Sequence, residues 1–339
     1  MSDTIKAPFP YFGGKSLVAP LVWERFGNVR NYVEPFFGSG AVLLGRPCPF
    51  EGVETVNDLD GMLANFWRAV AQKSDETAAW ADWPVNENDL TARHLWLVGQ
   101  KESLQARLEA DPDWCDPKIA GWWVWGACAW IGSGWCSGEG PWRVVDGELR
   151  NVGDAGRGIN RQMPHVGNAG RGVNRKMPHV GDAGRGVNRQ MPHVGNAQGI
   201  NRPAAFDAFA ALSERLRRVR VCCGDWSRVV GDSVTWRHGL TGVFLDPPYA
   251  DGAEVYAENN RIGADVMSWA IEAGKRPDMR IAVCGYEGEH ETPEGWECVP
   301  WKAKGGYGSQ GDGEGRKNAR RERIWFSPHC LSGKQRALF

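Results

Sequence analysis

Four consecutive residues in the last third of the chain have side chains and spacing suited to holding a planar amino nitrogen. Residues 243–245 are apolar and predict a buried strand, and Asp246, Pro247, Pro248 and Tyr249 follow it. The two prolines fix the backbone at the carboxyl end of the strand, where α/β sheets bind their ligands. The Asp246 carboxylate and the Pro247 carbonyl can accept both N–H bonds of the amino group, and Tyr249 can stack on its ring. Taken alone, the motif also fits an ordinary Asp-Pro-Pro turn.

A glycine-containing turn near the start of the chain is a candidate site for a second ligand. Residues 29–45 predict a short strand, a turn and the start of an apolar helix. Small residues in such a turn let the amino-acid end of a ligand approach the backbone. A lone Gly-x-Gly pattern is weak evidence, because it is equally typical of a tight turn. The candidate residues of this turn are Glu34, Pro35, Phe36, Gly38 and Gly40.

A carboxylate ends the next predicted strand, at residues 53–58. Doubly wound folds place such a carboxylate on ribose hydroxyls, so Asp58 is a candidate ligand of a nucleoside. The alternative is that Asp58 or Asn57 caps the helix predicted from Leu59 to Val70.

Strand–helix units on both sides of a long insert predict the fold. Two consecutive units near the start of the chain favour a doubly wound parallel sheet. After residue 203 we predict helices at 204–218 and 264–273 and strands at 219–223, 242–245, 280–284 and 322–326. Residues 1–73 and 204–339 are therefore expected to form one discontinuous α/β domain, and residues 74–203 an insert.

The insert begins with a Trp-rich stretch and ends in a basic repeat. A helix is predicted from Pro117 to about Trp130, and most of the Trp side chains around it are expected in the core. A 14-residue Gly/Arg repeat occupies residues 152–202. Residues 150–202 contain nine basic and two acidic side chains, so the charge of this segment is +7. Such a segment either contacts DNA phosphates or is a solvated expansion. The candidate DNA contacts are Arg157, Arg161, Arg171, Arg175, Arg185 and Arg189.

Composition narrows the class of protein. The 339 residues carry a net charge of −1, so a nucleic-acid surface must come from uneven charge such as that of the repeat. Nine cysteines occur without a C-x-x-C pair, and the histidines of the repeat lack Cys or carboxylate partners, so we expect reduced thiols and no metal. No apolar run or signal-like N-terminus predicts a membrane segment, and we expect a cytoplasmic protein.

Together these segments resemble the Dam-like class of adenine-N6 DNA methyltransferases. The class has an N-terminal cofactor motif similar to residues 8–15, a cofactor loop similar to residues 34–40 and a catalytic motif similar to residues 246–249. The order along the chain agrees, with a target-recognition region inserted before the catalytic motif, and residues 320–326 resemble the closing strand of phage-type members. The resemblance implies a Rossmann-like S-adenosylmethionine-dependent methyltransferase sheet.

The resemblance also implies ligands and roles for single residues. The cofactor is S-adenosylmethionine, and the substrate is an adenine that is flipped out of double-stranded DNA and methylated by direct transfer. Tyr11 and Lys15 contact the cofactor, and Glu34 and its loop hold the methionine end. Asp58 holds the ribose, and Asp225 meets the adenine of the cofactor.

Other functions are open at this stage. Methylation of RNA or of a protein amide uses similar motifs, although Asp rather than Asn at position 246 favours adenine. A non-catalytic DNA-binding protein with the same fold is a second alternative, and a homodimer is compatible with either. Cytosine-C5 methylation through Cys48 is disfavoured, because that reaction leaves residues 246–249 without a role.

Overall fold

The computed structural model describes residues 5, 8–9, 15–130, 135–136, 142–145, 148–151, 202–248, 256–301 and 321–332. Of these, residues 142–145, 148–151, 202–204 and 256–260 are described by their backbone alone.

A seven-stranded sheet forms the centre of the fold. The strands of the described residues are β1 (Asn31–Glu34), β2 (Val53–Asp58), β3 (Trp142–Val145), β4 (Glu148–Asn151), β5 (Val219–Cys223), β6 (Thr241–Leu245), β7 (Met279–Tyr286), β8 (Glu297–Pro300) and β9 (Glu322–Phe326). The order in the large sheet is β5-β2-β1-β6-β7-β9-β8, and β3 and β4 form a separate antiparallel hairpin. The first five strands of the large sheet are parallel, and β9 is antiparallel to both of its neighbours.

Helices pack on both faces of this sheet. The helices of the described residues are α1 (Ala19–Phe26), α2 (Ala41–Leu44), α3 (Gly61–Gln72), α4 (Ser74–Ala81), α5 (Glu87–Val98), α6 (Lys101–Ala110), α7 (Pro117–Ala129), α8 (Arg202–Leu216) and α9 (Tyr256–Ala273). Short 3₁₀ helices lie at Lys15–Leu17, Trp226–Val229 and Trp236–His238. This mixed architecture confirms the predicted Rossmann-like methyltransferase fold.

The strand order reverses between β1 and β6. The chain passes outward from β1 to β2 and β5 on one side, then returns to β6 on the other side of β1. In open parallel sheets this switch point leaves a crevice at the carboxyl ends of the strands, where ligands bind. Glu34 ends β1 and Asp246 follows β6, so both carboxylates lie at this crevice.

The central strands are buried on both faces, as a parallel sheet requires. Successive side chains of a strand point to opposite faces. Tyr32 and Phe244 accordingly pack in one core cluster with α1 and α3, whereas Val33 and Val243 pack in a second cluster with α9. Burial on both sides makes the sheet a rigid base for the residues that follow its strands.

The cap of α3 differs from the sequence prediction. The helix begins at Gly61 rather than Leu59, and Asp60 caps it by accepting the Met62 amide at 2.8 Å. Asp58 does not cap it, because its two oxygens accept the amides of Gly38 and Asp60, both at 2.9 Å. The alternative that Asp58 or Asn57 is the N-cap was therefore wrong.

The helical part of the insert packs on α3 and shares the main core with it. The helix predicted at residues 117–130 is confirmed as α7, and its Trp123 and Trp125 side chains are buried as expected. Asp116 caps α7, and Asn65 of α3 fixes the cap by accepting the Asp116 amide at 2.7 Å and donating to its carbonyl at 2.9 Å. The repeat lies outside the described residues, except for its last position, residue 202. The predicted boundaries between the α/β domain and the insert stay predictions.

Candidate active site

Asp246 lies where the sequence placed it, directly after the buried strand β6. The side chain is half-buried, Pro247 is buried and Pro248 is exposed. Tyr249, the last residue of the predicted motif, lies outside the described residues. The described part of the motif therefore presents a carboxylate at the carboxyl edge of the sheet, beside the end of β1.

Lys15 forms an ion pair with Asp246. Its Nζ lies 3.0 Å from Asp246 Oδ1, 4.0 Å from Glu322 Oε2 and 5.2 Å from the centre of the Trp301 ring. Burial on its own would lower the pKa of this lysine, but Asp246 and the neighbouring Cys284 and Glu322 raise it above its ordinary value. Lys15 is therefore a buried cation, and the structure joins it directly to the predicted catalytic carboxylate.

Glu34 is a buried carboxylate without a cationic partner among the described side chains. The exposed fraction of the residue is 2%, and its Oε2 accepts a hydrogen bond from the Tyr32 hydroxyl at 2.8 Å. Burial raises its pKa well above the ordinary value, although the Tyr32 hydrogen bond opposes this, and the charge of Asp246 raises it further. A positively charged group of a ligand would stabilise the ionised form of this residue.

The loop after β1 is held by hydrogen bonds to β2 and α3. The Phe37 amide donates to the Asn57 carbonyl at 2.9 Å, and the Asn57 side-chain amide donates to the Pro35 carbonyl at 3.1 Å. Gly38 donates to Asp58 and accepts from the Trp67 indole at 2.9 Å. The predicted loop is thus a fixed turn, although the helix after it, α2, has only four residues.

Gly40 is required by the geometry of this turn. Its φ is +68°, a left-handed conformation that residues with a Cβ rarely adopt. A Cβ at this position would lie 2.7 Å from the Phe37 ring. The second glycine of the Gly-x-Gly pattern therefore has a structural role in addition to any contact with a ligand.

Asp58 lies at the crevice, close to the glycine loop. Burial is the main cause that raises its pKa to about 7, and the charge of Asp60 adds to the effect. Leu59, the next residue, is 62% exposed, an unusual fraction for a leucine beside a buried strand. Asp58 therefore combines a perturbed carboxylate with an adjacent exposed apolar side chain, an arrangement that suits a nucleoside.

Asp225 lies near Asp58, because β5 pairs with β2, Asp58 is the last residue of β2 and Asp225 follows the end of β5. The Gly224 amide donates to the Asp58 carbonyl at 3.1 Å. The exposed Asp225 side chain accepts the Ser227 amide at 2.9 Å and so caps a 3₁₀ helix. Trp226 in that helix stacks on Phe36, with ring centres 6.3 Å apart, and links the glycine loop to this corner of the crevice.

Several residues of the site were not predicted from the sequence. Glu322 and Trp301 reach Lys15 from the antiparallel end of the sheet, and Asn57 joins the ends of three strands by donating to Pro35 and Gly224. The one signal for Glu322 was a carboxylate at the start of a strand that ends in three apolar residues. Lys15 was predicted to contact the cofactor, and the contact that the structure shows is with Asp246.

Other predicted residues lie outside the described part of the chain. These are Tyr11 and the six arginines of the repeat, Arg157, Arg161, Arg171, Arg175, Arg185 and Arg189. Within the described ranges, no group of three or more His, Cys, Asp or Glu side chains is placed to hold a metal ion. None of the helices described is both long and apolar enough to cross a bilayer.

Comparison with known proteins finds a family model that matches a segment near the start of the chain. Residues 11–90 match the family model of the D12 class N6 adenine-specific DNA methyltransferases. The matched segment contains Lys15, β1 with its glycine loop, β2 with Asp58, and α3. A search of curated proteins finds no match. Residues 11–90 are thus similar to the D12 class N6 adenine-specific DNA methyltransferases, and the Rossmann-like sheet around them is consistent with a methyltransferase of that class.

Proposed function

We propose that the enzyme transfers a methyl group from S-adenosylmethionine to the N6 atom of an adenine flipped out of double-stranded DNA, with the Asp246–Tyr249 motif as the catalytic motif. The observation that carries this proposal is the ion-paired Asp246 carboxylate at the switch point of the sheet, next to Glu34 and the fixed glycine loop. One side of the crevice thus offers acceptors for an amino group, and the other offers groups for a nucleoside with an amino-acid end.

The residues of the crevice fit the methyl donor. Glu34 is a buried carboxylate that no described cation neutralises, and the α-ammonium group of the cofactor would supply that charge. Asp58 would bind the ribose hydroxyls, and Asp225 would meet the adenine. Tyr11 is proposed as a further contact. When bound, S-adenosylmethionine supplies an electrophilic methyl group.

Asp246 and Pro247 would act on the amino group of the target base. The lone pair of that nitrogen is delocalised into the ring, so the nitrogen is a poor nucleophile while it stays planar. Acceptors that hold its two N–H bonds favour a tetrahedral nitrogen with an available lone pair. The nitrogen would gain positive charge as its lone pair bonds to the methyl carbon and the bond from that carbon to sulfur breaks, which leaves S-adenosylhomocysteine. The Asp246 carboxylate would stabilise that charge until the nitrogen releases a proton to solvent. Tyr249 is proposed to stack on the extruded base.

Binding of the duplex is proposed to depend on the basic repeat. Six of its arginines are the candidate contacts, and they recur in a glycine-rich segment, a pattern that suits contacts with phosphates rather than with bases. Such contacts release counterions, so the affinity for DNA would fall steeply with salt. A homodimer is proposed as the oligomeric state, and sedimentation velocity would test it.

The test compares Asp246→Ala with Asp278→Ala. Asp278 precedes β7, at the opposite end of the sheet, and pairs with Arg276, so its variant is a matched loss of one paired carboxylate. We expect Asp246→Ala to abolish transfer of label from tritiated S-adenosylmethionine to DNA, while both variants bind S-adenosylhomocysteine in calorimetry. An active Asp246→Ala enzyme would refute the proposed role. Transfer of label to RNA or protein instead of DNA would favour the alternative substrates.

A further inference from the structure

We propose that Glu322 is a positioning residue for methyl transfer: it holds the Lys15 ammonium against Asp246 and so fixes the catalytic carboxylate. This inference rests on the proposed role of Asp246. It assigns a function to the antiparallel strand β9, which the family match at residues 11–90 does not include.

The direction of β9 explains how Glu322 reaches the site. Parallel strands present only their carboxyl ends at the crevice, whereas an antiparallel strand presents its amino end there. Glu322 is the first residue of β9 and pairs with Tyr286, near the carboxyl end of β7. Its carbonyl accepts the Trp301 amide at 3.2 Å, and its side chain is buried. The backbone of Glu322 is therefore fixed on one side by its pairing with β7 and on the other by the Trp301 amide.

Among the residues that the structure describes, Asp246, Glu322 and Trp301 approach the ammonium of Lys15 from different parts of the chain. Asp246 Oδ1 lies at 3.0 Å, Glu322 Oε2 at 4.0 Å and the Trp301 ring centre at 5.2 Å. A lysine side chain has four flexible carbons and no directional fork, so a single carboxylate does not hold it in one place. Glu322 and Trp301 supply the second and third points that define the position of the ammonium.

The charges of the cluster support the same assignment. Asp246, Lys15 and Glu322 together carry one net negative charge, which suits a nitrogen that becomes positive during the reaction. With glutamine at position 322, the remaining pair of Asp246 and Lys15 is neutral. Removal of the Glu322 charge therefore weakens the hold on Lys15 and, through Lys15, the fixed position of the Asp246 carboxylate.

The experiment measures single-turnover transfer from S-adenosylmethionine to duplex DNA by Glu322→Gln, Lys15→Met and the double variant. The matched control is Glu297→Gln on the neighbouring strand β8, where Glu297 pairs with Arg25 at 2.7 Å, away from Asp246. Displacement of a reacting group by about 1 Å costs on the order of 100-fold in rate. We expect a loss of that order for Glu322→Gln, with unchanged binding of S-adenosylhomocysteine and a wild-type rate for Glu297→Gln.

A double-variant comparison distinguishes positioning from a merely structural role. If Glu322 acts through Lys15, Glu322→Gln causes no further loss in the Lys15→Met enzyme, because coupled residues are not additive. Glu322→Asp, which keeps the charge, is expected to restore part of the rate, and it replaces Glu322→Gln if the latter does not fold. A wild-type rate in Glu322→Gln, or an equal loss in the Lys15→Met background, would overturn the inference. A wild-type enzyme without transfer to adenine would overturn the proposed function and this role together.

Discussion

Asp58→Asn is expected to remove a pH dependence from the free energy of unfolding. Burial raises the pKa of Asp58 from its ordinary 3.8 to about 7 in the folded protein. Between these values the folded state keeps a proton that the unfolded state has lost, so stability falls as the pH rises. At about 1.4 kcal/mol per pH unit, the difference amounts to about 4 kcal/mol, lost between pH 4 and pH 7. Because asparagine does not titrate, the free energy of unfolding of the Asp58→Asn variant lacks this pH-dependent contribution.

The assay is urea denaturation of the wild type and of Asp58→Asn at several pH values between 4 and 8. Other titrating groups contribute to both proteins and cancel in the difference between the two curves. The loss of one carboxylate oxygen, which accepts the Gly38 or the Asp60 amide, shifts the variant by an amount that does not depend on pH. The wild type is expected to lose stability relative to the variant as the pH rises. Parallel curves would refute the assigned environment of Asp58.

The remaining predictions concern the loop, the core and the insert. Gly40→Ala should destabilise the fold by roughly 1–2 kcal/mol, since L-residues disfavour its φ and the new Cβ meets Phe37; thermal unfolding measures this, and unchanged stability would contradict it. Arg215→Met should cost about 3–5 kcal/mol in chemical denaturation, because it removes a partner at 2.7 Å from the buried Glu54; a neutral effect would show that Arg46 alone satisfies that carboxylate. Deletion of residues 152–193 should flatten the salt dependence of DNA affinity, and an unchanged slope would exclude phosphate contacts there.

Much of the sheet could be predicted because its strands are short runs in which β-branched or aromatic residues recur. The predicted bounds of β2, β5 and β9 agree with the structure, and Asp246 lies at the end of β6 as expected. These features depend on local sequence, since β-branched and aromatic side chains pack well on the pleated surface of a sheet. The start of α7 could also be predicted from local sequence, because Pro117 is followed by a largely apolar segment.

Contacts between distant parts of the chain could not be predicted in this way. Lys15 precedes α1 and Asp246 follows β6, so their ion pair joins segments that lie far apart in the chain, and Glu322 reaches Lys15 because β9 runs antiparallel. Local sequence patterns predict neither the order of the strands in a sheet nor their direction. The error at the start of α3 has a different cause, because three polar residues, Asn57, Asp58 and Asp60, all suit an N-cap and only the fold selects among them.

The most direct test of the central claim is the identity of the methylated product. The enzyme is incubated with tritiated S-adenosylmethionine and unmethylated duplex DNA, and the DNA is then digested to nucleosides and separated. The proposed function predicts that the label is in N6-methyldeoxyadenosine. Label in a methylated cytosine, or no label in DNA at all, would contradict it.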